Sequence, residues 1–300
     1  MLAIVIPYYK PEFFDSCLSS LAEQENKDFR VYIGDDCSPQ DPSEIINKYK
    51  EQISLTYHRF DQNIGSGTLT SHWERCIEMT NKEEWLMILC DDDRLSPQVV
   101  SEFYNQLGKI RIIGAKVVKY ASQVIDTHGE AISGIYEHPR LQNYDEMFYR
   151  RFINNSRSSL SEHIFSREQY LKFGFRDLEY AWHADDFAWL DFSEFGCIYS
   201  INEAKVYFRI SDINISRPDY LIEEKREMTY NFLSEVIREY LSRFKKEYSR
   251  AVLKKYEILS YDLKKNSFSL ALRLSPFFLK YFGGIEMIKF WRRILINRFK

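Results

Sequence analysis

Three consecutive carboxylates, Asp91, Asp92 and Asp93, follow the apolar run from Trp85 to Cys90. Neighbouring carboxylates raise one another's pKa, so such a cluster is unfavourable unless a cation shares it. Mg²⁺ or Mn²⁺, held by one or two carboxylates together with substrate phosphates, relieves the repulsion. A solvated turn in which Asp93 or Ser96 caps the next helix is the alternative. A second acidic pair, Asp35-Asp36, is followed by Cys37-Ser38. A carboxylate there either accepts an N–H from a nucleobase or forms a plain Asx or Ser turn. Asn63-Ile64-Gly65-Ser66-Gly67 has two of the three glycines of a dinucleotide fingerprint and lacks the lysine of a P-loop, which makes it a weak Rossmann signal.

The elements that must position these groups follow from hydrophobic patterning. Short apolar runs predict strands at Leu2 to Pro7, Arg30 to Gly34, Ser54 to Arg59 and Trp85 to Cys90. Helices fall between them: one from about Pro11, with Phe14, Leu18 and Leu21 at helical spacing, one after Asp41-Pro42, and one over Thr68 to Met79. This alternation predicts an α/β fold with a mostly parallel, Rossmann-like sheet flanked by helices. Each polar cluster then lies at a strand C-terminus, the edge where open parallel sheets bind ligands. Beyond Lys109 the pattern is less regular, with a β-rich stretch around Ile110 to Ile125 and helices near Tyr144 to Phe152, Arg167 to Phe173 and Asp186 to Phe195. Long helices are predicted at Tyr220 to Phe244 and Tyr248 to Leu263, giving a helical C-terminal extension. The resulting organisation is a domain over 1–218, in two halves at 1–110 and 111–218, and a helical region over 219–300.

Composition narrows the function class. Hydrophobic residues at 45% and charged residues at 28% are ordinary for a soluble protein, while 16% aromatic suits either sugar stacking or dense core packing. Five widely spaced cysteines without a CxxC pair argue against a disulfide framework or a zinc site and point to a reducing cytosol. Met1 leads directly into a core strand, so no secretory signal is expected. A net charge of -3 lacks the basic footprint of a nucleic-acid binder. Yet residues 264–300 carry nine Lys and Arg against Glu286 alone.

Several segments together resemble family 2 glycosyltransferases, the GT-A family that includes bacterial O-antigen and capsule sugar transferases. They are Ile4-Val5-Ile6-Pro7-Tyr8-Tyr9, Cys17-Leu18-Ser19-Ser20-Leu21 with Gln24, Asp35-Asp36-Cys37-Ser38, Asn63-Ile64-Gly65, Asp91 to Asp93 with Leu95 and Pro97, and Asp185-Asp186. The resemblance implies a GT-A fold and an inverting transfer from a nucleotide sugar, usually of UDP, with Mn²⁺ or Mg²⁺ as cofactor. It places Pro7, Tyr8 and Asn63 on the nucleoside side, with Asp36 against the base. Asp91 and Asp93 become the metal-binding pair, Asp92 a donor-site neighbour, and Arg209 the cation on the leaving diphosphate. Asp186 becomes the base, a role that requires an ionised carboxylate within about 3 Å of the acceptor hydroxyl; capping the helix it opens is the alternative. Cys90 stands where many relatives carry a first Asp, and Ser211 where they carry a His, for which His183 is a substitute ligand. Gly174-Phe175-Arg176-Asp177 matches a turn of the family that precedes the base.

The implied acceptor is a glycan or lipid-linked oligosaccharide in surface polysaccharide synthesis. No uncharged run of about 18 residues interrupts the basic tail, which excludes a spanning helix there. Two readings of the tail stand: peripheral contact with the inner face of the cytoplasmic membrane, or packing on the catalytic body or on a second subunit of a homo-oligomer. Two other functions use the same acidic edge, a metal-dependent nucleotide-sugar phosphohydrolase and a catalytically silent nucleotide-sugar or glycan-binding protein. The first is disfavoured by Pro7-Tyr8-Tyr9, where its nucleophilic Asp would stand.

Overall fold

The computed structural model describes residues 1–154, 156–214, 217 and 220–298. Pro218 and Lys300, which bound ranges given above, lie outside the described residues, as do Ser216, beyond Arg209, and Phe299 of the basic tail. The chain forms two compact units, Met1–Met147 with Ser156–Pro218, and Phe148–Asn155 with Asp219–Lys300.

The first unit opens with β1 (Leu2–Tyr8), α1 (Phe14–Ala22), β2 (Phe29–Asp35), α2 (Ser43–Tyr49), β3 (Leu55–Arg59), α3 (Leu69–Glu78) and β4 (Trp85–Ile88). The strands run parallel in the order β3-β2-β1-β4. Every β1 residue but Pro7 is buried, because successive side chains serve opposite faces. Leu2, Ile4 and Ile6 pack with Phe14, Leu18 and Leu21 of α1. Ala3 and Val5 pack with Trp73 and Ile77 of α3. A strand buried on both faces reads as an unbroken apolar run, as Leu2 to Ile6 does.

Next come β5 (Arg94–Leu95), α4 (Val99–Ile113), β6 (Val117–Ile125), β7 (Ala131–Tyr136), β8 (Leu141–Asn143), α5 (Tyr144–Phe152), β9 (His163–Ser166), α6 (Arg167–Phe173), α7 (Ala184–Phe192) and β10 (Cys197–Arg209). Here the sheet turns mixed: β9 lies antiparallel between β4 and β6, β10 runs parallel to β6, and β5 closes antiparallel on β10. One expectation fails at Ile110 to Ile113, which are not β-structure but the last turn of α4. Val99, Val100, Phe103 and Ile110 form its buried face, and Gly114, at φ 75°, ends it in a left-handed cap. The β-branched run misleads because tertiary packing overrides its local propensity.

Gln24, one of the motif residues, ties this scaffold together. Its buried amide donates to the carbonyls of Ser20 (2.9 Å) and Ser96 (2.8 Å) and accepts from the Val100 amide (3.1 Å). Helix α1 is thereby fixed to the segment that leads out of the acidic turn.

The second unit contains α8 (Ile222–Glu239), α9 (Lys246–Asp262), α10 (Phe268–Phe282) and α11 (Gly284–Arg298). Phe152 packs on Phe232 at 5.0 Å, Tyr230 on Tyr256 at 4.6 Å and Phe278 on Phe290 at 4.0 Å. The basic tail is thus two helices, broken at Gly283-Gly284, with Arg293 bonded to the buried Glu257 of α9 at 2.6 Å. Among the described residues no helix is long and apolar enough to cross a membrane.

A close approach of backbone and helix gives a first prediction. A Cβ at Gly34 on β2 would stand 2.2 Å from the Cys76 sulfur of α3. Gly34→Ala should destabilise the protein by about 1–3 kcal/mol in urea unfolding, and Cys76→Ala in the same chain should restore most of the loss. No recovery in the double variant would place the strain elsewhere.

Candidate active site

The acidic turn begins where β4 ends. Leu89 still pairs with β1, its amide on the Val5 carbonyl at 2.9 Å, and the chain then leaves the sheet through Cys90 to Asp93. The two-residue β5 returns it against the end of β10, with Val206 opposite Leu95 and Tyr207 opposite Arg94. That register brings Arg209 over the turn. Its amide donates to Asp93 Oδ1 (2.9 Å), its Nε to the Asp92 carbonyl (2.9 Å) and its Nη1 to the Asp126 carbonyl (2.7 Å), and its guanidinium lies 4.4 Å from the Phe13 ring. From the other side, Asp91 Oδ2 accepts the amides of Tyr9 (2.9 Å) and Lys10 (3.0 Å) in the loop after β1.

These carboxylates are poorly compensated. Burial raises Asp91, Asp92 and Asp93 above the usual carboxylate range, Asp92 furthest because both neighbours add their charges, and Asp93 to about 6. Asp93 is 0% exposed, and no donor meets its Oδ2 in hydrogen-bond geometry, although the nearby Ser161 hydroxyl and the Arg157 charge oppose the effect of burial. Ligand atoms of Cys90, Asp92 and Asp93 lie within 4.8 Å of one another. Burial pushes the Cys90 thiol well above its ordinary value, so it stays protonated. A protonated thiol suits Mg²⁺ or Mn²⁺ poorly, whereas carboxylate oxygens are their natural ligands. The orphaned Asp93 oxygen and the adjacent Asp92 carboxylate therefore fit a hard divalent cation. Asp91, expected beside Asp93 as a ligand, commits its Oδ2 to the loop after β1.

Pro7 is half-buried at the end of β1. Tyr8 is fully buried, its ring 4.5 Å from Phe14 and its hydroxyl pushed up to about 12 chiefly by burial. The adjacent Tyr9 is exposed. Both oxygens of Asp36, the residue expected against a base, accept bonds from protein donors. Oδ1 accepts from the Ile64 amide (2.9 Å) and from Arg75, and Oδ2 from the Gly65 amide (2.9 Å). Gly65 is needed here, since a Cβ would stand 2.5 Å from Asp36 Oδ2. His72 lies 3.8 Å from Asp36, but burial lowers it to about 4, so the ring is neutral near pH 7 and Arg75 supplies the countercharge. Asn63 accepts the Ser66 amide at 3.1 Å and closes the same loop.

Asp186 lies near the N-terminus of α7, 4% exposed, with Oδ2 2.8 Å from His183 Nδ1. His183, the residue set against the His that relatives carry at position 211, partners this carboxylate through Nδ1. The approach to α7 is strained: Tyr180, Ala181 and His183 are all left-handed, at φ 55°, 51° and 70°. Non-glycine residues hold such angles only when the surroundings impose them, most often at functional sites. The turn from Gly174 to Asp177 anchors this segment, with Thr70 donating to Asp177 (3.0 Å) and Arg176 paired with Asp191 of α7 (3.3 Å). Ser211 bonds Asn214, whose amide donates to the Arg209 carbonyl at 2.7 Å, and Lys10 Nζ reaches the Ile213 carbonyl at 2.5 Å.

Sequence reading missed two groups. Arg75 neutralises Asp36 from a helix one strand away. Arg157 pairs at 3.0 Å with the buried Glu162 and lies 3.7 Å over Phe208, next to Arg209. Neither carries a local motif: Arg75 meets Asp36 across 39 residues, and Arg157 is set by the fold that brings Phe208 beneath it.

The family model for Glycosyl transferase family 2 matches residues 3–170. An uncharacterized glycosyltransferase of Haemophilus influenzae is 30% identical over 99 residues, 33% of this chain and 31% of that protein, so the match spans about a third of the relative's length. Among solved structures, S. aureus TarS 1–349 in complex with UDP-GlcNAc superposes with a TM-score of 0.63 at 14% identity, over 93% of this chain and 81% of that one. TarS 1–349 in complex with UDP gives 0.56 at 15% identity, over 86% and 82%. The likeness shows that the fold is GT-A.

Asp93 supplies a pH-dependent test. Its folded pKa, about 6, lies above the ordinary 3.8, so the folded protein holds the proton more tightly. Stability from this group is therefore present at low pH and lost as pH rises through that window. In chelator at neutral pH, Asp93→Asn, which keeps the acceptor for Arg209, should melt above wild type, with the gap closing on acidification. Wild type melting higher at neutral pH would overturn this electrostatic reading.

Proposed function

The chain belongs to glycosyl transferase family 2, and we propose that it moves a sugar from a nucleotide sugar to an acceptor hydroxyl with inversion at the anomeric carbon. The observation that carries this reading is the buried acidic turn at the carboxyl edge of the parallel strands, with the unpartnered Asp93 oxygen inside it. TarS accommodates UDP-GlcNAc and UDP, which favours a UDP-sugar as donor here. The acceptor is a glycan or lipid-linked oligosaccharide of a surface polysaccharide, and residues 111–218 shape its pocket while 1–110 hold the donor.

Asp92 and Asp93 would hold Mn²⁺ or Mg²⁺, which neutralises charge on the departing diphosphate when bound. Asp91 orders the Tyr9-Lys10 loop through its two amide bonds. Pro7, Tyr8, Tyr9 and Asn63 frame the nucleoside side, and Asp36 sets the loop on which the base rests. Arg209, bonded to the Asp92 carbonyl, keeps positive charge beside the diphosphate. Asp186 accepts the hydroxyl proton as the acceptor oxygen bonds to the anomeric carbon and the bond from that carbon to the diphosphate oxygen breaks. His183 fixes the orientation of that carboxylate.

Asp186→Asn should lower the transfer rate by about 10²–10⁴-fold while donor-induced thermal stabilisation is retained. Full transfer by this variant would remove Asp186 as base, and nucleotide-sugar hydrolysis without transfer would favour a phosphohydrolase. Asp93→Ala should abolish Mn²⁺-dependent UDP binding in calorimetry; unchanged binding would move the metal elsewhere.

A further inference from the structure

Helices α10 and α11 are amphipathic in an unusual sense, because the side turned away from the bundle is also apolar. Leu274, Phe278 and Tyr281 of α10, with Phe290 and Ile294 of α11, are buried in the second unit. On the far side of α10, Phe268, Leu272 and Leu279 recur at spacings of four and seven and therefore share one stripe; Leu272 is 65% and Leu279 53% exposed. On α11, Ile285, Ile288 and Leu295 form a second stripe, with Ile285 74% and Ile288 67% exposed. The two stripes flank one seam. Trp291 Nε1 donates to Ser275 Oγ at 2.9 Å, and the Trp291 ring lies 6.0 Å from Phe268, so the helices meet along the edges that border both stripes.

Cations border this face. Lys280 lies beside the α10 stripe, Arg292 within the α11 stripe and Lys289 beside it, whereas Arg273 turns inward to the Tyr256 hydroxyl at 2.6 Å. Lys280, Lys289 and Arg292 are exposed, and Glu286, bound to Lys289 at 2.8 Å, is the only acidic residue between 268 and 298. An exposed apolar surface rimmed by like charge marks an interaction site.

We propose that the outer face of the α10–α11 hairpin is a docking surface for an anionic lipid bilayer, lying in the interface with Leu272, Leu279, Ile285 and Ile288 inserted and the cations among the headgroups. Charge selects this occupant. A second copy meeting the same face about a two-fold axis would set Lys280 and Arg292 against their own kind, whereas anionic headgroups match them. Neither helix is long enough to span, which leaves the in-plane arrangement. A tryptophan on the seam between the stripes suits the headgroup level. The inference deepens the lipid-linked part of the proposed function, since this surface would hold the enzyme where such an acceptor is presented.

The test is flotation of the full chain with vesicles of phosphatidylcholine, with or without phosphatidylglycerol. Wild type should float with the anionic vesicles and not with the neutral ones, and added salt should weaken the association. Combined Lys280→Gln, Lys289→Gln and Arg292→Gln should lower partition by roughly a hundredfold. Leu279→Glu with Ile288→Glu should abolish flotation while leaving the melting temperature unchanged, because these side chains are exposed. Flotation by the Glu variant, or a dimer in sedimentation that this variant dissociates, would overturn the proposal. Asp186→Asn should float like wild type, so loss of transfer chemistry and loss of docking are read separately.

Discussion

Three adjacent carboxylates share the turn at the end of β4, Asp93 buried and its neighbours half-buried, and their desolvation, with the like charges around Asp92, is the constraint that the supports of this turn answer. A turn carrying that much buried charge would open if its flanks were free. It is held from two directions: by the Tyr9 and Lys10 amides on Asp91, and by Arg209, whose amide and side chain bond Asp93 and the Asp92 carbonyl. Neither support neutralises the charge fully. Asp93 keeps an oxygen without a partner, which is the physical reason a hard cation fits and a structural ion pair does not suffice.

The surrounding architecture supplies those supports. Strand β10 is long and crosses the sheet beside β6 before ending at Arg209, and the short β5 hooks the acidic turn to it. Gln24 fixes α1 to the outgoing segment, so the turn is framed by β1, α1, β5 and β10 together. On the nucleoside side, Asp36 is spent on two backbone amides and Arg75, a scaffold role that orders the loop from Asn63 to Gly67. Near α7, strain at Tyr180 to His183 sets the ring that partners Asp186. Pre-organisation of this kind places catalytic groups before substrate arrives.

In the second unit the same tension between burial and exposure is resolved differently. The bundle buries one side of α10 and α11 through Phe278, Phe290 and their neighbours. It leaves isoleucines and leucines outside among cations. An apolar face that the fold itself does not cover needs a partner to cover it.

Much was legible in the sequence. Hydrophobic periodicity is a local property, so the parallel strands β1 to β4, their helices and the position of each polar cluster at a strand end could be read directly. The family resemblance added the family itself, which the match over residues 3–170 shows. The fate of Ile110 to Ile113 was not legible, because packing of α4 and a left-handed Gly114 decided it. Nor was it legible which oxygens are taken and which left open: Arg209 reaches Asp93 across 116 residues of chain, and Asp36 is satisfied by an arginine 39 residues away. Such pairings depend on strand register and helix placement, which no short window of sequence contains. By itself the sequence determined the elements and the chemistry available at one sheet edge. Tertiary structure decided which carboxylates are neutralised by the protein and which remain for a ligand, since only the assembled sheet sets the distances over which charge is compensated.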